Sequence, residues 1–248
     1  MSESFKKYGD FYDHLYIDKD YEAETRYVSD ILKSHKVDVH TIIEFGSGTG
    51  IHGRLFGNLG YSVLGVEPSE TMLEKSVNTP NFTSQLGDVR YPIDSSFQFE
   101  TCLVLFHVFN YLLTRDDQVS AFKNIHSLLK PGSLLALEVW HGPAVDFQKP
   151  ETRIKTVRGD FGEIVRIASP THVARDRVDI TYDIFYRSPE SEVYRKFSEV
   201  HSLRPTYRED IEDLAVLSGF EVLLSEQFLT SKPVAEDTWS VLYLLRRN

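Results

Sequence analysis

The residues of this chain with the most chemistry to offer lie in Thr41-Ile-Ile-Glu-Phe-Gly-Ser-Gly-Thr-Gly50. Gly46, Gly48 and Gly50 follow an apolar run and precede an amphipathic one, so strand, turn and helix succeed each other. Backbone without Cβ atoms can there pass close to a ligand. Two kinds of ligand fit. Gly48-Thr-Gly-Ile-His-Gly53 satisfies the dinucleotide pattern, with Glu67 roughly twenty residues on to hold a ribose. Glu44, two residues before Gly46, points elsewhere, because its charge repels a pyrophosphate and attracts a cationic amino-acid ligand. Asp88, in Gly87-Asp88-Val89, can accept a hydrogen bond from an adenine amino group.

A second set of residues could serve a reaction partner. In doubly wound sheets ligands lie beyond the carboxyl ends of the strands, here the segments Phe106 to Tyr111 and Trp140 to Val145. In Phe106-His-Val-Phe-Asn-Tyr111, Phe106 can face the cofactor, while His107, Asn110 and Tyr111 offer polar groups. Trp140, Tyr16 and Arg204 complete the expected substrate contacts. Imidazole titrates near neutrality, which makes His107 the first candidate base and His201, in Glu199-Val-His-Ser-Leu-Arg204, the second. A lone histidine is more often structural than catalytic.

These residues need a scaffold, and the hydrophobic pattern supplies one. Tyr21 to Leu32 has helical spacing after an aromatic segment, Phe5 to Tyr21, that reads as a lid. Strands at His40–Phe45, Ser62–Glu67, Phe82–Leu86, Phe99–Leu105 and Ser133–Val139 alternate with helices at Ile51–Leu59, Ser69–Ser76 (capped by its serine) and Arg115–Leu129. The alternation predicts an α/β fold with a doubly wound, mostly parallel sheet. From Arg153 to Leu203 the period changes to two, which predicts an antiparallel β insertion. A helix at Tyr207–Ser218 is followed by Phe220–Gln227 and Trp239–Arg246. These are too close for a crossover helix, so the last of seven strands runs antiparallel. The expected division is a lid and cofactor-binding core over 1–150, the insertion over 151–206 as acceptor cover or dimer contact, and a C-terminal helix and strand pair over 207–248.

Composition narrows the partners. The chain has 248 residues, 41% of them hydrophobic, enough for one core with an elaboration. Lys and Arg number 27 against 37 Asp and Glu, a net charge of -10 that disfavours nucleic acid. The single cysteine, Cys102, excludes an internal disulfide and a cysteine-based zinc cluster. Residues Met1 to Asp10 lack an apolar signal core, and no apolar run approaches the ~20 residues of a membrane span. A cytoplasmic, membrane-free protein is expected.

With Glu44 to Gly50, Val63 to Glu67 and Gly87 to Val89 matching successive motifs, the chain resembles the class I S-adenosylmethionine-dependent methyltransferases over roughly its whole length. The resemblance implies S-adenosyl-L-methionine as cofactor and a Rossmann-like core; no metal is expected, since no compact cluster of Asp, Asn and His follows the fourth strand. Glu44, Gly46, Gly48 and Gly50 would flank the cofactor's amino acid. Glu67 and Pro68 would lie at the ribose, Asp88 and Val89 at the adenine, and Tyr12 and Tyr21 in a lid closing over the cofactor. Met72 matches an apolar position against adenine, although it could simply be core. The lid, the 106–111 segment and the Glu199 to Arg204 strand look like bacterial small-molecule N- and O-methyltransferases, nearest to nucleotide-linked amino-sugar N,N-dimethyltransferases. That implies a small-molecule amine or hydroxyl acceptor and admits a homodimer. Arg153, Arg158, Arg166, Arg175, Arg177 and Arg187 could meet a diphosphate, or form a solvated sheet face. Two other classes stay open: an NAD-dependent oxidoreductase using Gly48 to Gly53, and a non-catalytic S-adenosylmethionine-binding protein.

Overall fold

The computed structural model describes residues 5–35, 39–95 and 97–248; the first four residues of the polar N-terminus lie outside them. A 3-10 turn at Tyr8–Phe11 and a single-turn helix α1 (Tyr12–Leu15) precede helix α2 (Tyr21–Ser34), which Asp20 caps by accepting the Ala23 N–H. The core then alternates β1 (Thr41–Phe45), α3 (Ile51–Asn58), β2 (Ser62–Glu67), α4 (Glu70–Leu73), β3 (Phe82–Leu86), β4 (Phe99–Val104), α5 (Arg115–Leu128) and β5 (Leu129–Trp140). After a short helix α6 (Gly142–Gln148) come β6 (Arg153–Gly159), β7 (Gly162–Ala174), β8 (Arg177–Arg187) and β9 (Arg195–Leu203). Helix α7 (Arg208–Ser218), β10 (Phe220–Gln227) and β11 (Ser240–Arg247) end the chain.

Seven strands form one sheet in the order β10-β11-β5-β4-β1-β2-β3. Strands β1 to β5 run parallel, and β11 is antiparallel to both β5 and β10, so the expected reversal at the end of the sheet is present. Alternate side chains feed two cores. Ile43, Cys102, Leu135 and Tyr243 meet α5 and α7 through Phe122, Ile125 and Leu214 on one face. Ile42, Leu103, Ala136 and Leu244 meet α2 and α3 through Val28, Leu32 and Phe56 on the other. Strands buried on both faces require helices on both.

The second sheet, β6-β7-β8-β9, is wholly antiparallel. Its inner side packs Ile164 and Ile184 against Tyr8 and Leu15 of the N-terminal segment. The segment therefore bridges the two sheets.

Three local expectations are corrected. β5 begins at Leu129, directly after α5, with Pro131 and Gly132 inside it; a register shift between Phe99 and Thr101 of β4 absorbs the irregularity. α4 is one turn, capped by the Ser69 hydroxyl at the Met72 N–H, and does not reach Ser76. α6 was not foreseen; its Pro143 lies at the first turn, where a missing N–H costs nothing.

Candidate active site

The glycine turn joins β1 to α3 at the carboxyl edge of the parallel strands. Its start is fixed by the Gly46 N–H donating to Val66 O at 2.8 Å, and its end by the Gly50 N–H donating to Ser47 O at 2.9 Å. Gly46, Gly48 and Gly50 all have positive φ, at 68°, 57° and 78°. At Gly46 space is as limiting as conformation, because a Cβ would lie 2.4 Å from Cγ2 of Val108.

The turn overlooks a cleft of about 530 Å³, a volume suited to a small ligand. Glu44, Gly46, Gly48, Glu67, Pro68, Met72, Asp88 and Val89 line one end. Gly50 does not; it caps α3 behind the turn, against Phe82. Glu67 accepts the N–H groups of Gly48 and Ser69, each at 2.8 Å, and so ties the end of β2 to the turn. Burial pushes its carboxyl up to about 7, although the Ser69 and Gly48 amides pull it down. Asp88 also lines the cleft, but its oxygens are held by Arg90, which extends to Asp117. Burial raises the Asp88 carboxyl and the Arg90 bonds outweigh it, leaving it below the ordinary value.

Beneath the turn lies a buried acidic pocket that fits the cationic end of an amino acid. Glu44 Oε1 is 3.9 Å from His52 Nδ1, while its Oε2 is buried without a hydrogen-bond partner. Burial, and then the charge of Glu67, push the Glu44 carboxyl up to about 8. His52 donates from Nε2 to Glu24 at 2.9 Å, and Glu24 also pairs with Lys19. The Lys19 ammonium lies over the rings of Tyr21 and Phe106, at 4.5 and 4.4 Å from their centroids. Lys19, Glu24, His52 and Glu44 thus form one connected row of ionisable groups under the turn.

The N-terminal segment closes the cleft. Tyr12, Tyr16 and Tyr21 line it, and Asp13 accepts the Thr49 hydroxyl at 2.7 Å, fastening α1 to the turn. Phe5 and Lys6 accept through their carbonyls from Ser69 and Thr71, and Gly9 passes so near Met72 that a Cβ would lie 3.1 Å from its sulfur. Met72 is buried, touching both lid and turn.

At the far end of the cleft stand Phe106, His107, Tyr111, Tyr182 and His201. Phe106 and His107 both have positive φ, 54° and 63°. Two such residues in succession are strained, and Glu138 holds them by accepting the Phe106 N–H at 2.6 Å. His107 Nδ1 lies 3.7 Å from Glu138 and is buried without a hydrogen bond. His201 is buried, with Nδ1 2.8 Å from the Tyr111 hydroxyl and Nε2 2.9 Å from Glu199.

Three expected substrate contacts are not brought to the cleft. Asn110 is fully buried and acts as a clamp: its amide donates to Trp140 O, Arg204 O and Thr206 Oγ1 and accepts the Trp140 N–H. Trp140 stacks on Trp239 at 5.9 Å, and Arg204 donates to Leu113 O and pairs with Asp176. Of the insertion arginines, Arg158 and Arg187 pair with Glu163, Arg177 with Asp179 and Arg175 with Asp146. Arg166 instead donates to the hydroxyls of Tyr8 and Tyr16, directly behind the cleft wall.

Sequence reading missed Lys19, Glu24, His52, Glu138 and Glu199. Two signals were available: a lone acid, Glu138, inside an apolar strand, and Glu199 two residues from His201, hence on the same strand face. Among the described residues no group of three or more His, Cys, Asp or Glu is arranged to hold a metal, and no helix is long and apolar enough to cross a membrane.

Comparison with known proteins follows the same lines. Residues 43–137, from β1 into β5, match the model of a methyltransferase domain. The chain is 22% identical over 237 residues to a putative methyltransferase of Bacillus subtilis, covering 94% of this chain and 93% of that one. It is 25% identical over 222 residues to dTDP-3-amino-3,4,6-trideoxy-alpha-D-glucopyranose N,N-dimethyltransferase of Streptomyces venezuelae, covering 87% and 90% of the two chains. The crystal structure of an S-adenosylmethionine-dependent methyltransferase from Clostridium acetobutylicum superposes with a TM-score of 0.81 at 19% identity, over 98% of this chain and 99% of that one.

Fold, glycine turn and the methyltransferase domain matched over residues 43–137 identify S-adenosylmethionine-dependent methyl transfer as the activity. The oxidoreductase reading is not favoured. Gly53 is explained by packing, since a Cβ there would lie 2.2 Å from Phe82, and the antiparallel β11 belongs to the methyltransferase sheet.

Proposed function

We propose that the chain methylates the amine of a nucleotide-linked amino sugar. The observation that carries this reading is the single cleft running from the glycine turn to Tyr111, Tyr182 and His201 beneath an aromatic lid. Its volume of about 530 Å³ suits a small ligand, and the relative from Streptomyces venezuelae named above is an amino-sugar N,N-dimethyltransferase.

Within this reading Glu44 accepts the cofactor's ammonium and Lys19 faces its carboxylate. The Gly46 and Gly48 backbone lies along the amino-acid moiety. Glu67 with Pro68 meets the ribose, and Asp88, Val89 and Met72 meet the adenine. Bound S-adenosylmethionine supplies a methyl on positive sulfur; the acceptor nitrogen takes that methyl as the sulfur keeps the bonding pair. Tyr12, Tyr16, Tyr21 and Phe106 surround the transfer with rings and exclude water, while orientation of the acceptor supplies most of the rate. His201 through Tyr111, or His107, takes the proton the amine releases. The β6–β9 sheet acts as acceptor cover, because Val200 to Leu203 of β9 and Tyr182 of β8 form cleft wall.

The test is incubation with S-adenosylmethionine and dTDP-3-amino-3,4,6-trideoxyglucose, read by mass spectrometry. Successive gains of one and then two methyl groups on nitrogen are expected. No product, or a methyl on oxygen, contradicts the proposal.

A further inference from the structure

Glu199 joins three parts of the molecule. One carboxylate oxygen accepts from His201 Nε2 at 2.9 Å and from the Phe5 N–H. The other accepts the N–H groups of Lys7 at 3.1 Å and Tyr8 at 3.2 Å. On the opposite side of the imidazole, Nδ1 meets the Tyr111 hydroxyl at 2.8 Å. Rings of Phe5, Tyr8, Tyr182 and Tyr111 enclose His201 with centroids 4.7 to 5.8 Å away.

The hydrogen-bond directions follow from what each group can do. An ionised carboxylate only accepts, so His201 carries its proton on Nε2. A neutral ring then has a bare Nδ1, and Tyr111 must donate to it. The free lone pairs of the Tyr111 oxygen are left for the cleft that Tyr111 lines. Burial raises the Tyr111 phenol well above its ordinary value, so it does not ionise alone. Burial also raises Glu199, but the bonds from His201, Tyr8 and Lys7 outweigh it and keep the carboxyl below its ordinary value.

We propose that Glu199 is a positioning residue that couples seating of the N-terminal segment to a Tyr111–His201 proton relay facing the acceptor. This rests on the methyl-transfer reading above. In the relay the acceptor's N–H bond breaks and its proton joins the Tyr111 oxygen, while the original Tyr111 proton passes to His201 Nδ1. Tyr111 ends unchanged, and the imidazolium is paired with the Glu199 carboxylate. When the segment lifts, Glu199 loses the Phe5, Lys7 and Tyr8 amides together, and the tautomer of His201 loses its anchor. The relay is therefore set only in the closed protein, when water is excluded.

The test uses full-length protein labelled with 15N at histidine and backbone, saturated with S-adenosylhomocysteine. Long-range 1H–15N correlation is expected to show His201 neutral, protonated on Nε2 and bare on Nδ1. In Glu199→Gln one acceptor oxygen remains, so either the tautomer reverses or the amides of Phe5, Lys7 and Tyr8 exchange about tenfold faster. Tyr111→Phe, which leaves Glu199 in place, is expected to shift the Nδ1 resonance to that of an unbonded imine nitrogen with Nε2 still protonated. Wild-type His201 protonated on Nδ1, or Glu199→Gln with tautomer and exchange both unchanged, overturns the proposal. Calorimetry on the same sample separates the two readings. Failure to bind S-adenosylhomocysteine defeats methyl transfer, whereas tight binding with the wrong tautomer defeats the relay alone.

Discussion

The main-chain N–H of Gly48 donates to the Glu67 carboxylate at 2.8 Å, so the acid at the end of β2 supports the centre of the glycine turn. Turn conformation therefore depends on one side chain, which in the proposed reading also meets the ribose. Above pH 7, where the folded Glu67 carboxyl is ionised, Glu67→Gln keeps the size and loses the charge. Because hydrogen bonds to charged groups contribute about 1.5–3 kcal/mol, S-adenosylhomocysteine affinity is expected to fall at least ~10-fold by calorimetry. A change of less than about twofold contradicts a ribose role.

Glu44 and Glu67 also make the free protein sensitive to pH. Their folded values, about 8 and about 7, lie above the ordinary 4.5, so the folded chain holds protons that the unfolded chain has released. Their contribution to stability is complete below about pH 4.5 and is lost as pH rises through 7 and 8. The unfolding temperature of the free protein is expected to fall across that window, and Glu44→Gln to flatten the fall. If Glu44 receives the cofactor's ammonium, binding at pH 7 expels its proton. Titrations in buffers of different ionisation enthalpy should then show proton release that Glu44→Gln diminishes.

Much of this site was legible in sequence because it is local. A buried strand, three glycines and acids at 44, 67 and 88 follow the order of the parallel strands, and the chain itself sets their spacing. The Tyr111–His201–Glu199 set was legible only in part, since Tyr111 and His201 lie 90 residues apart and Glu199 meets Lys7 across 192. Nothing local distinguishes such a pair from two surface residues. Asn110 shows the converse. Its position beyond β4 suits a ligand contact, yet the main chains of Trp140 and Arg204 occupy its amide first.

Gly46 and Gly48 should respond differently to alanine. At Gly46 the new Cβ meets the branched side chain of Val108, whereas at Gly48 it meets the mobile end of Met72 at 3.3 Å. Left-handed backbone costs ~1–2 kcal/mol at either site, and overpacking adds ~1–3 at Gly46. Gly46→Ala should lower stability more in denaturant unfolding, and Val108→Ala should restore part of the loss. Additivity of the two changes contradicts the contact.

Asn110→Ala tests the clamp against a ligand role. It strands main-chain groups of Trp140 and Arg204 in a buried place, which should cost about 3 kcal/mol of unfolding free energy. S-adenosylhomocysteine affinity should stay within about threefold of wild type. A stable variant with lost affinity reverses the assignment.

The most direct test of the central claim is calorimetric titration of the purified protein with S-adenosylhomocysteine and, separately, with NADH. The cleft beneath the glycine turn predicts one-to-one binding of S-adenosylhomocysteine, weakened by Glu67→Gln, and no heat with NADH. Binding of NADH without S-adenosylhomocysteine would contradict it.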